Sequence, residues 1–61
     1  MDLDKEAKKA TELLKNKIVD VVFRHRTSEV CILFTDGTSL FVNQVSNGEG
    51  IELSITGDES L

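Results

Sequence analysis

Two periodicities divide the chain. Between residues 2 and 15 the apolar positions Leu3, Ala7, Ala10 and Leu14 recur at helical spacing and form one stripe. Asp2 is placed to cap the first turn, and Asp4 and Glu6 suit the positive end of the helix dipole. Lys15 and Lys17 suit the opposite end, and Asn16 reads as a left-handed stop. Asp4–Lys8 and Glu12–Lys15 are favourable pairs on the solvated side. The spacing predicts a helix over residues 2–15.

From residue 17 the period falls to two, and β-branched residues dominate. A strand over 17–26 sets Val19, Val21, Phe23 and His25 on one side. Ile18, Asp20, Val22, Arg24 and Arg26 then fall on the other. Thr27-Ser28 as a two-residue connection pairs Phe23 with Ile32 and Val21 with Phe34 in a second strand, 29–35. It also sets Arg26 opposite Glu29 as a cross-strand ion pair.

The next turn has two readings. Asp36-Gly37 as a two-residue loop places Leu33 opposite Leu40. Residues 35–37 as a three-residue loop with a glycine bulge place Ile32 opposite Leu40. The second is preferred, because it keeps Val30, Ile32, Phe34, Leu40 and Val42 on one face. A slip of one residue would exchange the faces. Strands over 38–45 and 50–56 follow, joined by a loop with a turn at Asn47-Gly48. Residues 57–61 are expected to fray.

The predicted fold is α+β: an N-terminal helix packed on one face of a four-stranded antiparallel β-meander, order 1-2-3-4, in a single domain over residues 1–61. Its expected core is the helix stripe with Val19, Val21, Phe23, Val30, Ile32, Phe34, Leu40, Val42, Ile51, Leu53 and Ile55.

A sheet covered on one side should be polar on the other. Under this register the second face instead carries Val22, Cys31, Leu33 and Phe41, with Ile18 near one end. Asp20, Arg24, Glu29, Ser39, Asn43, Glu52 and Ser54 surround them. An apolar centre with a polar rim is the composition of a protein–protein interface. The competing expectation is that the sheet curls into a barrel, or that the C-terminal segment folds back over this face.

Composition sharpens that reading. A chain of 61 residues buries only roughly 60% of the surface it exposes when unfolded. Domains this small usually add disulfides, a metal or a partner subunit. The single cysteine excludes an internal disulfide, and one histidine with one cysteine falls short of a structural zinc site. Self-association is the remaining common device. The net charge of −4 opposes non-specific binding to nucleic acid and to anionic membranes. No apolar run approaches the ~20 residues that span a bilayer. The charged N-terminus has no apolar signal core, and a lone thiol suits a reducing compartment, so a cytoplasmic protein is expected.

Candidate chemistry is sparse. His25 and Cys31 would be the nucleophile–base pair to test, but the predicted register sets them on opposite faces, with Arg24 opposite Cys31. Asp2/Asp4 and Asp58/Glu59 lie near the termini, and Asp36 is explained by its turn. Gly48-Glu49-Gly50 lacks the Lys-Ser/Thr and the helix of a phosphate loop. These features predict a non-enzymatic interaction module without metal or cofactor. Its partner would be a second copy or a larger protein, bound through Ile18, Val22, Cys31, Leu33 and Phe41. The alternative is an anion- or nucleotide-binding protein that uses the basic cluster Arg24, His25 and Arg26.

Overall fold

The computed structural model describes residues 2–45 and 48–57. Helix α1 (Leu3–Leu14) precedes strands β1 (Val19–Phe23), β2 (Glu29–Phe34), β3 (Ser39–Gln44) and β4 (Ile51–Thr56). The strands form one antiparallel sheet in the order β1-β2-β3-β4, so the predicted α+β meander is the fold. Of the loop and tail features expected from sequence, Asn47 and residues 58–61 lie outside the described residues.

The helix ends are set by local chemistry. The Lys5 N–H donates to Asp2 Oδ1 at 3.2 Å, the expected N-cap. Asn16 takes φ +65 and turns the chain out of the helix, as the sequence implied. The buried stripe differs from the predicted one. Leu3 is 69% exposed and Ala7 is exposed, whereas Ala10, Leu13 and Leu14 are half-buried. Ala10 and Leu13 line a cleft with Leu53 and Ile55, so the helix lies over β4. The Leu13-Leu14 doublet rotates the contacting face away from Leu3 and Ala7.

The central hairpin follows the three-residue reading. Ile32 pairs with Leu40 and Val30 with Val42. The Phe34 N–H donates to Thr38 O at 2.8 Å, and the Gly37 N–H to Phe34 O at 3.0 Å. Gly37 has φ +93, which is what the bulge requires. In β4, Leu53 pairs with Val42 and Ile55 with Leu40, so both fall on the helix face as expected.

The first hairpin departs from the expected register. Val22 pairs with Ile32, Phe23 with Cys31 and Val21 with Leu33. The connection is residues 24–28, not a two-residue loop at Thr27-Ser28. A register shift between Val19 and Val21 inserts Asp20 as an extra residue. Val22 therefore lies on the helix face with Ile32. Val21 and Phe23, expected in the core under the helix, lie on the second face with Leu33 and Cys31. The Arg26–Glu29 ion pair forms, but it joins the connection to the first residue of β2 instead of spanning two strands, with nitrogen and oxygen 3.0 Å apart.

Among the described residues the buried hydrophobic core is only Cys31 and Phe34. The chain exposes 4811 Å², against roughly 4,000 Å² for a compact monomer of this mass. Its radius of gyration is 12.2 Å, against about 10.5 Å for a compact domain of this length. The molecule is a slab of 35 × 28 × 18 Å, one sheet with one helix on it.

Candidate functional site: the second face of the sheet

The register builds this face in rows. Phe23, Cys31, Phe41 and Ser54 lie side by side across the four strands. Val21, Leu33, Ser39 and Thr56 form the next row, and Glu29, Asn43 and Glu52 a polar row beyond. The result is an apolar centre of Val21, Phe23, Cys31, Leu33 and Phe41, closed off by polar side chains. Cys31 is 8% exposed, because a small side chain between the two phenylalanines of its row is screened by them. Val21 and Phe23, at the open end of the rows, are 39% and 38% exposed.

Three of the five residues singled out from sequence lie in this patch. Cys31, Leu33 and Phe41 lie together in it. Val22 does not, since its pairing with Ile32 sends it to the helix side, where it is 56% exposed. Ile18, 68% exposed, precedes β1 and accepts a hydrogen bond from Thr35 N–H at 2.9 Å. Val21 and Phe23 belong to the patch and were missed. The signal for them is the adjacent apolar pair Val21-Val22 after Asp20, which breaks strict alternation where a bulge occurs.

The basic cluster sits in the connection between β1 and β2, and all three residues are exposed. Arg24 Nη2 donates to Thr27 O at 2.9 Å. Arg26 donates through Nε and Nη2 to Glu29 Oε1 at 3.1 and 3.0 Å. Both guanidinium groups thus serve to shape the loop. The His25 ring stacks on Phe23, with centroids 5.3 Å apart and planes inclined by 12°. That stack brings His25 to the second face, not the helix side, and Phe23, not Arg24, is opposite Cys31. Cys31 is a free thiol.

At the other end of the sheet the Asp36 side chain does two jobs. Its Oδ1 accepts from Thr38 N–H at 2.9 Å, and its Oδ2 accepts from the Lys17 ammonium. The Lys17 contact first, and the Thr38 N–H second, hold the Asp36 carboxyl well below the usual carboxylate range. This is a structural clasp of exposed groups across the turn.

Among the described residues no group of three or more His, Cys, Asp or Glu side chains could hold a metal ion. A hollow at the loop end of the sheet is lined by Thr27, Ser28, Glu29, Val30, Val42, Asn43, Gln44, Gly50 and Ile51. Its charged member, Glu29, is engaged by Arg26. No helix of the described residues is long and apolar enough to cross a membrane. The chain matches no family model, no curated protein and no solved structure.

Proposed function

We propose that the protein is a small non-enzymatic interaction module that works as a homodimer, built through the apolar second face of its sheet. The observation that carries this reading is the continuous patch of Val21, Phe23, Cys31, Leu33 and Phe41, with no helix of the described chain over it. The chain as a whole exposes about 800 Å² more than a compact monomer of its mass, so it carries surface that a second copy could cover. Dimerisation would also supply the core that the single chain lacks. A cytoplasmic setting suits the free thiol, which an oxidising compartment would expose to mixed disulfides.

Sedimentation velocity over a concentration series tests the proposal. The wild type is expected to sediment as a dimer at micromolar concentration, and Phe41→Asp as a monomer or as a partly unfolded chain. Circular dichroism separates those two states of the variant. A wild type that stays monomeric to the highest concentration reached would sink the reading.

A further inference from the structure

The rows of the second face alternate in size. One runs Phe23, Cys31, Phe41 and Ser54 across the four strands: large, small, large, small. The next runs Val21, Leu33, Ser39 and Thr56. Neighbouring rows of one face lie about 7 Å apart, and two sheets packed face to face lie about 10 Å apart. At that spacing the side chains of one sheet must enter gaps in the other. Cys31 marks such a gap, because it is a small buried side chain between two phenylalanines. Leu33, two residues on in the same strand, is the larger side chain beside it and is half-buried.

Resting on the homodimer reading above, we infer how the two copies meet: about a two-fold axis that crosses the strands between these two rows. Each strand then lies antiparallel over its own equivalent, inclined by ~30° as in aligned sheet packing. Leu33 of each copy enters the gap over Cys31 of the other. Phe23 of each lies over Val21 of the other, and Phe41 over Ser39. Every pair in the apolar centre sets a larger side chain against a smaller one, which is what close packing of two surfaces needs. Ser54 and Thr56 meet at β4, so the hydroxyls gather at one margin. Glu29 of one copy lies at the opposite end of the pair from Glu29 of the other. The other two-fold arrangements fit less well. An axis along β2 stacks Phe23 on Phe41, leaves a void between the two Cys31 side chains and sets Glu29 against Glu29. An axis running between β2 and β3 lays Val21 over Thr56, Phe23 over Ser54 and Leu33 over Ser39, and so spends the apolar side chains on hydroxyls.

Sedimentation of size-exchanged variants of the full chain tests the axis, with circular dichroism to confirm that each variant folds. Cys31→Leu fills the gap and should weaken the dimer by about tenfold or more. Leu33→Cys removes the side chain that enters the gap and should weaken it likewise. The exchange variant Cys31→Leu/Leu33→Cys sets large against small again and should recover to within about threefold of the wild type. A Cys31→Leu variant that associates as tightly as the wild type, or more tightly, would overturn the inference, because only the axis along β2 gains from filling that position. A second measurement avoids the centre of the face. Ser54 is exposed on β4, and Ser54→Cys with Cys31→Ala leaves one thiol per chain. With the axis across the strands the two thiols face each other, at about 12 Å between Cα atoms, and a short bismaleimide should join them. Both other axes send the two β4 strands to opposite sides, about 18 Å or more apart. A dimer that resists this cross-link overturns the axis and leaves the homodimer standing. A wild type that sediments as a monomer overturns the homodimer itself, and the axis with it.

Discussion

Lys17 and Asp36 are ion-paired across 19 positions of sequence, joining the segment that leaves the helix to the turn between β2 and β3. The contact makes acid stability predictable in sign. The folded-state pKa of Asp36 lies well below its ordinary value of 3.8, so the unfolded chain binds the proton more readily. The contribution of this carboxylate is complete above the ordinary value and is lost as pH falls below it toward the folded-state value. The melting-temperature difference between wild type and Asp36→Asn should be constant from pH 7 to pH 5 and shrink below about pH 4. Asn can still accept from Thr38 N–H, so the variant isolates the charge. A difference that persists unchanged at pH 2.5 would contradict this account.

Two glycines hold the same end of the sheet. Gly37 has φ +93, and a Cβ there would meet nothing within 4 Å. Gly57 has φ +82, and a Cβ there would come within 2.6 Å of the Gly37 carbonyl oxygen. Gly37→Ala should cost about 1–3 kcal/mol from backbone strain alone. Gly57→Ala should cost more, because the backbone of the turn must also move aside. Urea denaturation of the two variants decides the order, and equal midpoints would show that the close approach at Gly57 relaxes freely.

How far the sequence exposed this architecture differs between the two hairpins. The turn at Thr35-Asp36-Gly37 carries its own instructions: a carboxylate that accepts from the N–H two residues on, and a glycine at the left-handed position. The alternation on either side then admits one register, and the structure has it. The first hairpin carries weaker instructions. Thr27-Ser28 looks like a short turn, yet Arg24 and Arg26 use their guanidinium groups to stabilise a wider connection. The bulge at Asp20 then absorbs one residue, and Val21, Val22 and Phe23 all change sides. A face-to-face exchange of this kind turns on a single residue, and alternation cannot detect it when both faces of the strand are apolar. The patch was legible as a patch, therefore, while its membership at the β1 end was not. The helix stripe erred for a related reason: with Leu13 beside Leu14, two stripes are available, and the half-buried positions Ala10, Leu13 and Leu14 draw on both.

Thr38 is the most deeply buried side chain described, 1% exposed, and its Oγ1 makes no hydrogen bond. The hydroxyl lies near the Asp36 carboxylate without reaching bonding geometry with it. Burying a hydroxyl without a partner costs about 1–3 kcal/mol. Thr38→Val keeps the shape and the backbone bonds of the turn while removing that polar atom. The variant should be as stable as the wild type or more so, by up to about 1 kcal/mol. Thr38→Ser keeps the hydroxyl and opens a methyl-sized gap, and should lose about 1 kcal/mol. Thermal unfolding of the two variants checks the pair, and a clear loss in Thr38→Val would show that the hydroxyl has a working partner.

Cys31 reports on whether the second face is covered. It sits between Phe23 and Phe41 in one cross-strand row and keeps 8% of its surface in the single chain. A thiol reagent reaches it over the open face in a monomer, whereas a second copy packed on that face closes the approach. The rate of modification by a neutral thiol reagent should therefore fall as protein concentration rises through the association range, by about tenfold or more. Phe41→Asp should remove the concentration dependence. Local opening within each chain would expose Cys31 at a rate that ignores concentration. A concentration-independent rate in the wild type would accordingly place any self-association away from this face.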